Sequence, residues 1–522
     1  MKKALLCLTA TVGFAMPCFA GSNMVIDWNR AALEAIRVDQ TAPPVATRNL
    51  AMMHVAIYDA VNAIDRAHQP YYVQIDPPAN TSREAAVASA AYRIMVQAYP
   101  NQIEYFDLVL YESLKKVPDS QAKTDGITLG QYVADEIIAL RTGDGWDANV
   151  GYIPGSNPGE WRPTPPGYLP ALLPQWATVT PWTMAGSSQF RAAAPPTLDS
   201  LQYATDVNEV KDLGRVDSQS RTPDQTEIAL FWVDGPGTCT PPGHWNQIAQ
   251  NCSEALGYGL GKDALLFAKM NVALADAAIL SWDNKYHYSL WRPYHAITLA
   301  DQDGNALTDP DPTWSSLVVA PPFPEYTSGH SSFSAAAARI LAFEFGTDQM
   351  AFTDMSESLP GVFRTYNSFS EAAAEAGRSR VYGGLHFEFS NQIGQQNGRD
   401  LADYVEGNFF LPVVSAAPIL ALPTYYRTEY INVFEAFNCT PGQFVFFLWD
   451  RDLGSRAVRN CPGVYIELNR PRRFGRVVAD ANGYAVVDHR VPLAFRGQTR
   501  YGQVLQKASC TVSNLVEGYF PR

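Results

Sequence analysis

The sequence predicts a mainly α-helical domain followed by a small C-terminal β-sandwich. Apolar residues recur at helical spacing over residues 27 to 141, and again from Leu201 to about Phe410. Between these blocks, from Gly143 to about Pro196, runs a stretch rich in Pro, Gly and Trp that supports no regular element. After Pro423 the pattern changes to short alternating or β-branched runs separated by turn residues. The expected domains are an export signal over residues 1–20, a helical catalytic domain over 21–420 and the β module over 421–522.

The elements follow in order. MKKALLCLTATVGFAMPCFAGS places Lys2 and Lys3 before an apolar run that ends on Ala20. That is the pattern of a bacterial secretory signal, with the cut expected after Ala20 and a periplasmic or secreted product. RNLAMMHVAIYDAVNAI is apolar on nearly all sides, as a buried helix should be. REAAVASAAYRIMVQAY and NQIEYFDLVLYESLKKV keep helical spacing, each stopped by a proline. The irregular stretch is expected to wrap the surface and cover a cavity mouth, the usual work of so long a loop. Helices resume in LQYATDVNEVKDLG, RTPDQTEIALFW and KDALLFAKMNVALADAAILSWDNKYHYSLW, with others after His330 and His386. VFFLW, VYIEL, RRFGRVVAD, YAVVDHRV and YGQVLQKASC read as strands, with Asn482-Gly483 among the turns.

Composition narrows the function. Hydrophobic residues make up 47% and charged residues 17%, an ordinary globular balance. The formal net charge of −13 argues against nucleic-acid binding, so any anion site must be built locally from a few basic residues. FFLPVVSAAPILALP, taken as the longest apolar run, is too short to span a membrane and is broken by Pro412, Pro418 and Pro423. Five cysteines follow the expected cut: Cys239, Cys252, Cys439, Cys461 and Cys510. Cys239 with Cys252 is the first expected bridge, and two of the remaining three are expected to form another.

Three clusters carry chemistry. In KYHYSLWRP, Lys285 and Arg292 stand seven residues apart, two helical turns, so one helix ended by Pro293 would aim both cations at one spot. In PPFPEYTSGHSS, Ser328, Gly329 and His330 arrive at a helix start. Unpaired N–H groups and the partial positive charge there suit an anion, although Ser328 could equally be a plain cap. In GRSRVYGGLHFEF, the Gly383-Gly384 turn must bend the chain if Arg380 and His386 are to meet one ligand. Three fixed cations, a helix N-terminus and two histidines together make a cradle for a tetrahedral oxyanion.

K-x6-RP, SGH and SR-x5-H together resemble the signature of the vanadium-dependent haloperoxidases and of the acid phosphatases that share their site. PPFPEYTSGHSSFSAAAARIL and SRVYGGLHF look closest to the bacterial haloperoxidase branch. The likeness spans most of residues 27 to 412 and omits the β module. It implies a helical-bundle vanadium haloperoxidase-like fold and one vanadate per chain. His386 would be the axial ligand of vanadium, and Lys285, Arg292, Arg380, Ser328 and Gly329 would hold the vanadate oxygens. His330 would be the acid–base residue, hydrogen peroxide and halide the substrates, and a small organic molecule the acceptor. Thr327 stands where the family usually has proline.

Trp282 and Phe323, placed before Lys285 and His330, resemble the chloroperoxidase pattern and form a candidate halide pocket. Iodide-selective bacterial members look similar there, so the pair leaves the halide open. The rival enzyme is a periplasmic acid phosphatase, with His386 as the nucleophile of a phosphohistidine intermediate and His330 protonating the leaving oxygen. A third reading is a non-catalytic export protein whose β module binds a polysaccharide or partner. His54, His68, His244, His287, His295 and His489 read as structural or exposed, with His295 near the entrance. A homodimer is left open.

Overall fold

The computed structural model describes residues 23–413, 417–421 and 431–520, so the export signal expected over 1–20 lies outside the described residues. Helices Met24–Asp39, Pro43–Asp65, Arg83–Ala98, Ile103–Lys115 and Gln121–Arg141 fill the N-terminal block. Their starts follow local chemistry. Asn23, Ser82 and Ser120 accept first-turn N–H groups, and prolines open the second helix, where no N–H is needed.

The second block winds around the 29-residue helix Leu260–Tyr288. By length and composition this helix could cross a membrane, contrary to the reading that placed the longest apolar run elsewhere; its apolar window is wholly buried among other helices. Helices Pro43–Asp65, Gly329–Glu344 and Glu388–Asn408 pack on it. The last two lie close because Gly394 and Gly398 have no side chain. A Cβ at Gly398 would fall 2.4 Å from the Ser332 carbonyl, and one at Gly394 2.8 Å from that of Ser328. A two-stranded hairpin, Phe352–Met355 with Phe363–Tyr366, was not anticipated.

Residues Cys239 and Cys252 are free and buried, which overturns the first expected disulfide. The intervening residues form helix Thr240–Leu256. Thirteen residue steps along this helix set the two ~20 Å apart, far beyond the span of about 5.5 Å between Cα atoms that a bridge requires. Residues Cys461 and Cys510 form a disulfide, leaving Cys439 free.

The Gly143–Pro196 stretch is irregular apart from a 3-10 turn at Pro174–Thr178. It is no loose surface wrap, since Trp161 and Trp176 are fully buried. Asp276, inside the long helix, holds it by accepting the N–H groups of Trp182 and Thr183 at 2.7 Å and that of Met184 at 3.2 Å.

Two sheets face each other in the C-terminal region. Strand Ile431–Phe437 pairs with Ile419–Ala421 and Ala485–Arg490, while Phe444–Asp450 pairs with Arg472–Val478 and Gln498–Gln506. Leu420 and Phe434 of one sheet meet Val445, Phe447, Trp449 and Val504 of the other in a shared core. The Asn482-Gly483 turn, with Gly483 at φ +73°, carries the chain from one sheet to the other. Glu435 joins this region to the helices. Its carboxylate accepts the Gly261 and Lys262 N–H groups at 3.1 Å, the Tyr484 hydroxyl at 3.0 Å and Arg83 Nη2 at 2.8 Å. The β region thus supplies the anion that caps the central helix.

A second buried network fixes the turn after helix Pro223–Phe231. The imidazole of His244 lies between two carboxylates, Nδ1 at 3.1 Å from Asp234 and Nε2 at 2.5 Å from Asp354, and stacks on Trp232 at 4.7 Å. Burial opposes its charge, but Asp234 and Asp354 outweigh that and hold its pKa well above the ordinary 6.5.

Two outcomes follow. Replacing Glu435 with Ala leaves the helix start and the Tyr484 hydroxyl without their acceptor and Arg83 with Asp65 alone of this buried pair of acids, and urea unfolding should show a loss of about 3 kcal/mol. His244→Phe keeps the ring and loses the charge. Because the folded pKa of His244 is raised, its contribution is complete below pH ~6.5 and falls by about 1 kcal/mol per pH unit above that. The stability gap between wild type and His244→Phe should therefore narrow between pH 6.5 and 9; a constant gap would mean that His244 is neutral in the fold.

Candidate functional site

The helix carrying Lys285 does not run on to Arg292 as the spacing suggested. It ends at Ser289, whose left-handed φ of 48° turns the chain, and Arg292 caps a separate short helix, Pro293–Thr298. The turn is held from outside by the loop, Trp161 N–H donating to Ser289 O at 2.7 Å and Trp291 N–H to Gly159 O at 2.8 Å. Both cations still reach one place. Lys285 Nζ lies 5.1 Å and Arg292 Cζ 4.8 Å from the centre of the Phe323 ring, and both side chains are fully buried.

Each cation is anchored by carbonyls with donors to spare. Lys285 Nζ donates to Glu325 O at 2.9 Å and also to Thr327 O. Arg292 donates to Phe323 O and Leu385 O, both at 2.9 Å, yet its buried Nη2 has no partner. Arg380, in the last turn of helix Phe369–Tyr382, donates Nη1 to Trp232 O at 2.9 Å while its buried Nε is unpartnered. Asp234, held by His244, is the acid that favours the charge of Arg380.

The Gly383-Gly384 turn does what the sequence required, with Gly384 at φ +79°. It brings His386 back beside Arg292, Nε2 lying 3.1 Å from Arg292 Nη1. Ser328 does cap helix Gly329–Glu344, accepting Ser331 N–H at 3.4 Å, and shares a 2.8 Å hydroxyl contact with Ser331. Gly329 and His330 open that helix, ahead of its hydrogen-bond ladder. A methyl added at Gly329 would meet Phe333 at 3.7 Å and Trp282 at 3.9 Å. His330 Nε2 is buried and unpartnered, and the Tyr326–Thr327 peptide is cis.

Electrostatics show what is missing. Burial first, then Arg292, hold the Lys285 ammonium well below its ordinary pKa. Burial also lowers Arg292 to about 9 and Arg380 to about 10. His386 is held well below 6.5 by burial and by Arg292, Lys285 and Arg380; His330 is held down by burial, Arg380 and Lys285, so both imidazoles are neutral. An anion placed among them would oppose each shift. The unpartnered Arg292 Nη2 and Arg380 Nε supply donors for its oxygens, and the unpartnered His330 Nε2 lies in the field of the same cations. Among the described residues no group of three or more His, Cys, Asp or Glu could hold a bare metal cation. The donor set fits a tetrahedral oxyanion such as vanadate or phosphate.

Trp282 and Phe323 meet at 4.9 Å between ring centres beside this set, and Phe323 lies under both cations. The loop covers this side, with Leu172 O accepting Trp282 Nε1–H at 3.3 Å and the Tyr286 hydroxyl at 2.6 Å. Sequence reasoning gave no role to Glu325, a fully buried carboxylate 2.8 Å from His386 Nδ1. The signal was an acid alone in the apolar, proline-rich PPFPEY, where an acid is costly unless partnered.

Residues 265–409 match the family model of the VCPO second helical-bundle domain. A vanadium chloroperoxidase of Curvularia inaequalis is 26% identical over 491 residues, covering 70% of this chain and 79% of that protein. The crystal structure of a bacterial vanadium-dependent iodoperoxidase has a TM-score of 0.66 at 29% identity, covering 74% of this chain and 96% of the other. A holo-type bacterial vanadium-dependent chloroperoxidase shares the fold, with a TM-score of 0.57 at 17% identity over 70% of this chain and 92% of the other. With the same helical bundle and a buried cationic cradle drawn from its separate segments, the chain is similar to vanadium-dependent haloperoxidases over 70% to 74% of its length.

Proposed function

We propose that the protein is a vanadate-dependent haloperoxidase, which oxidises halide with hydrogen peroxide to a hypohalous species that passes to a small organic acceptor. One observation carries this reading: buried nitrogens from separate segments, the donors Arg292 Nη2 and Arg380 Nε and the imidazole Nε2 of His330, have no partner beside the unprotonated His386 Nε2. Desolvated donors of this kind are costly to leave unmet, and vanadate meets them together. The chemistry supplied by bound vanadate is Lewis-acid polarisation of hydrogen peroxide toward halide, with no electron-transfer partner.

In this reading His386 Nε2 bonds the central atom. Lys285, Arg292 and Arg380 neutralise the oxygens with charge-assisted hydrogen bonds, joined by the Gly329 N–H. Ser331 Oγ lies 2.8 Å from both Ser328 Oγ and Asn391 Oδ1, and the Ser328 hydroxyl donates to the oxyanion when the single Ser331 proton is turned to Ser328. The neutral His330 takes a proton from incoming hydrogen peroxide at Nε2. Trp282 and Phe323 form the apolar wall past which halide approaches. The basic, apolar and small-residue pattern of residues 1–20 supports export to the periplasm or medium, and the Cys461–Cys510 disulfide suits an oxidising compartment.

Purified protein loaded with orthovanadate should halogenate a dye when given peroxide with iodide, bromide and chloride in turn. Vanadate-free protein should release little phosphate from p-nitrophenyl phosphate. Brisk phosphate release without halogenation would make the protein a phosphatase, since phosphate fits the same donors. His386→Ala should weaken orthovanadate retention on gel filtration at least about 100-fold, in line with loss of a central ligand. His330→Ala should retain vanadate and lose about 100- to 10,000-fold in turnover, the usual worth of a general base.

A further inference from the structure

The two nitrogens of the His386 ring are served by opposite kinds of partner. Nε2 faces Arg292 Nη1 at 3.1 Å, a group that can only donate, so Nε2 must present its lone pair. The ring proton then sits on Nδ1, which donates to Glu325 Oε1 at 2.8 Å. The opposite tautomer would set two donors against each other at Nε2 and leave Nδ1 facing a carboxylate with no proton between them.

Glu325 is itself held rigidly. The same carboxylate oxygen accepts Phe387 N–H at 3.0 Å. Its backbone N–H donates to Leu290 O at 2.9 Å, and its carbonyl accepts Lys285 Nζ at 2.9 Å. One residue thus ties His386 to the segment leading into Arg292 and to Lys285. An anionic acceptor on the far nitrogen of a ligating imidazole fixes its orientation and raises the basicity of the near one.

We propose that Glu325 is a positioning residue, which locks His386 as the Nδ1–H tautomer with its Nε2 lone pair turned into the oxyanion cradle. The inference rests on His386 being the residue that bonds the central atom.

The test uses the full chain labelled with 15N in its imidazoles, with the His386 signals assigned by their loss in His386→Ala. In ligand-free wild type, Nδ1 should show the shift of a protonated nitrogen and Nε2 that of an unprotonated one. Binding of orthovanadate, and separately of inorganic phosphate, is then measured by calorimetry. Glu325→Ala should bind about 10- to 100-fold more weakly than wild type, with a mixed tautomer signal. Glu325→Gln keeps a carbonyl oxygen for Nδ1–H and should stay within about 10-fold of wild type, with the tautomer unchanged. A wild-type signal with the proton on Nε2 overturns the proposal. So does a folded Glu325→Ala that binds as wild type does, or a Glu325→Gln as weak as His386→Ala. If Glu325→Ala fails to fold, the wild-type spectrum and Glu325→Gln still decide. Wild type that binds neither anion would sink the functional reading instead, and the tautomer is read without any ligand.

Discussion

The structure is organised around the burial of Lys285, Arg292 and Arg380 together in one water-poor place. Removing three cations from water is expensive, and clustering them adds repulsion. The offsets are particular. Backbone carbonyls of Phe323, Glu325, Thr327, Leu385 and Trp232 take one or more donors each, and the face of Phe323 lies under two of the cations. Glu325 and Asp234 contribute negative charge. Burial lowers the pKa of all three, so these offsets are incomplete and a nearby anion would be strongly favoured. That deficit is the physical basis of a strong oxyanion site.

Such a site survives only on a scaffold that prevents its cations from escaping to water. The Leu260–Tyr288 helix, buried along its length, brings Lys285 in from one side. Its start is capped by Glu435 from the C-terminal sheets, so the β region is part of what holds the central helix. The Gly143–Pro196 stretch closes the other side, pinned by Asp276 and by contacts with Ser289 and Pro322. Irregular backbone here covers the site, with Trp161 and Trp176 packed inward and backbone hydrogen bonds to Ser289, Trp291 and Pro322.

Periodicity recovered most helices because their burial is amphipathic or complete, and both leave a local trace. The Thr240–Leu256 helix was lost to a cysteine argument: two thiols close in sequence suggested a bridge, whereas a rigid rod between them keeps them apart. Lys285 and Arg292 were paired for a partly wrong reason. Their convergence comes from Ser289 ending one helix and the loop steering the next residues back, a bend set by Trp161 and Gly159 far away in the chain. Glu325 stood in plain view and went unassigned, because a lone acid carries no periodic signal and its partner lies sixty-one residues on.

The sequence alone determined the alternation of helical and β texture and the inventory of an oxyanion site, since composition, spacing and motif are local properties of the chain. Tertiary structure decided which donors stay unpaired, which nitrogen of His386 faces the cradle, that Glu435 caps the central helix and that Cys239 and Cys252 remain apart. Those depend on which distant groups meet once water is excluded, and hydrogen-bond partners and charge balance exist only after the segments have packed.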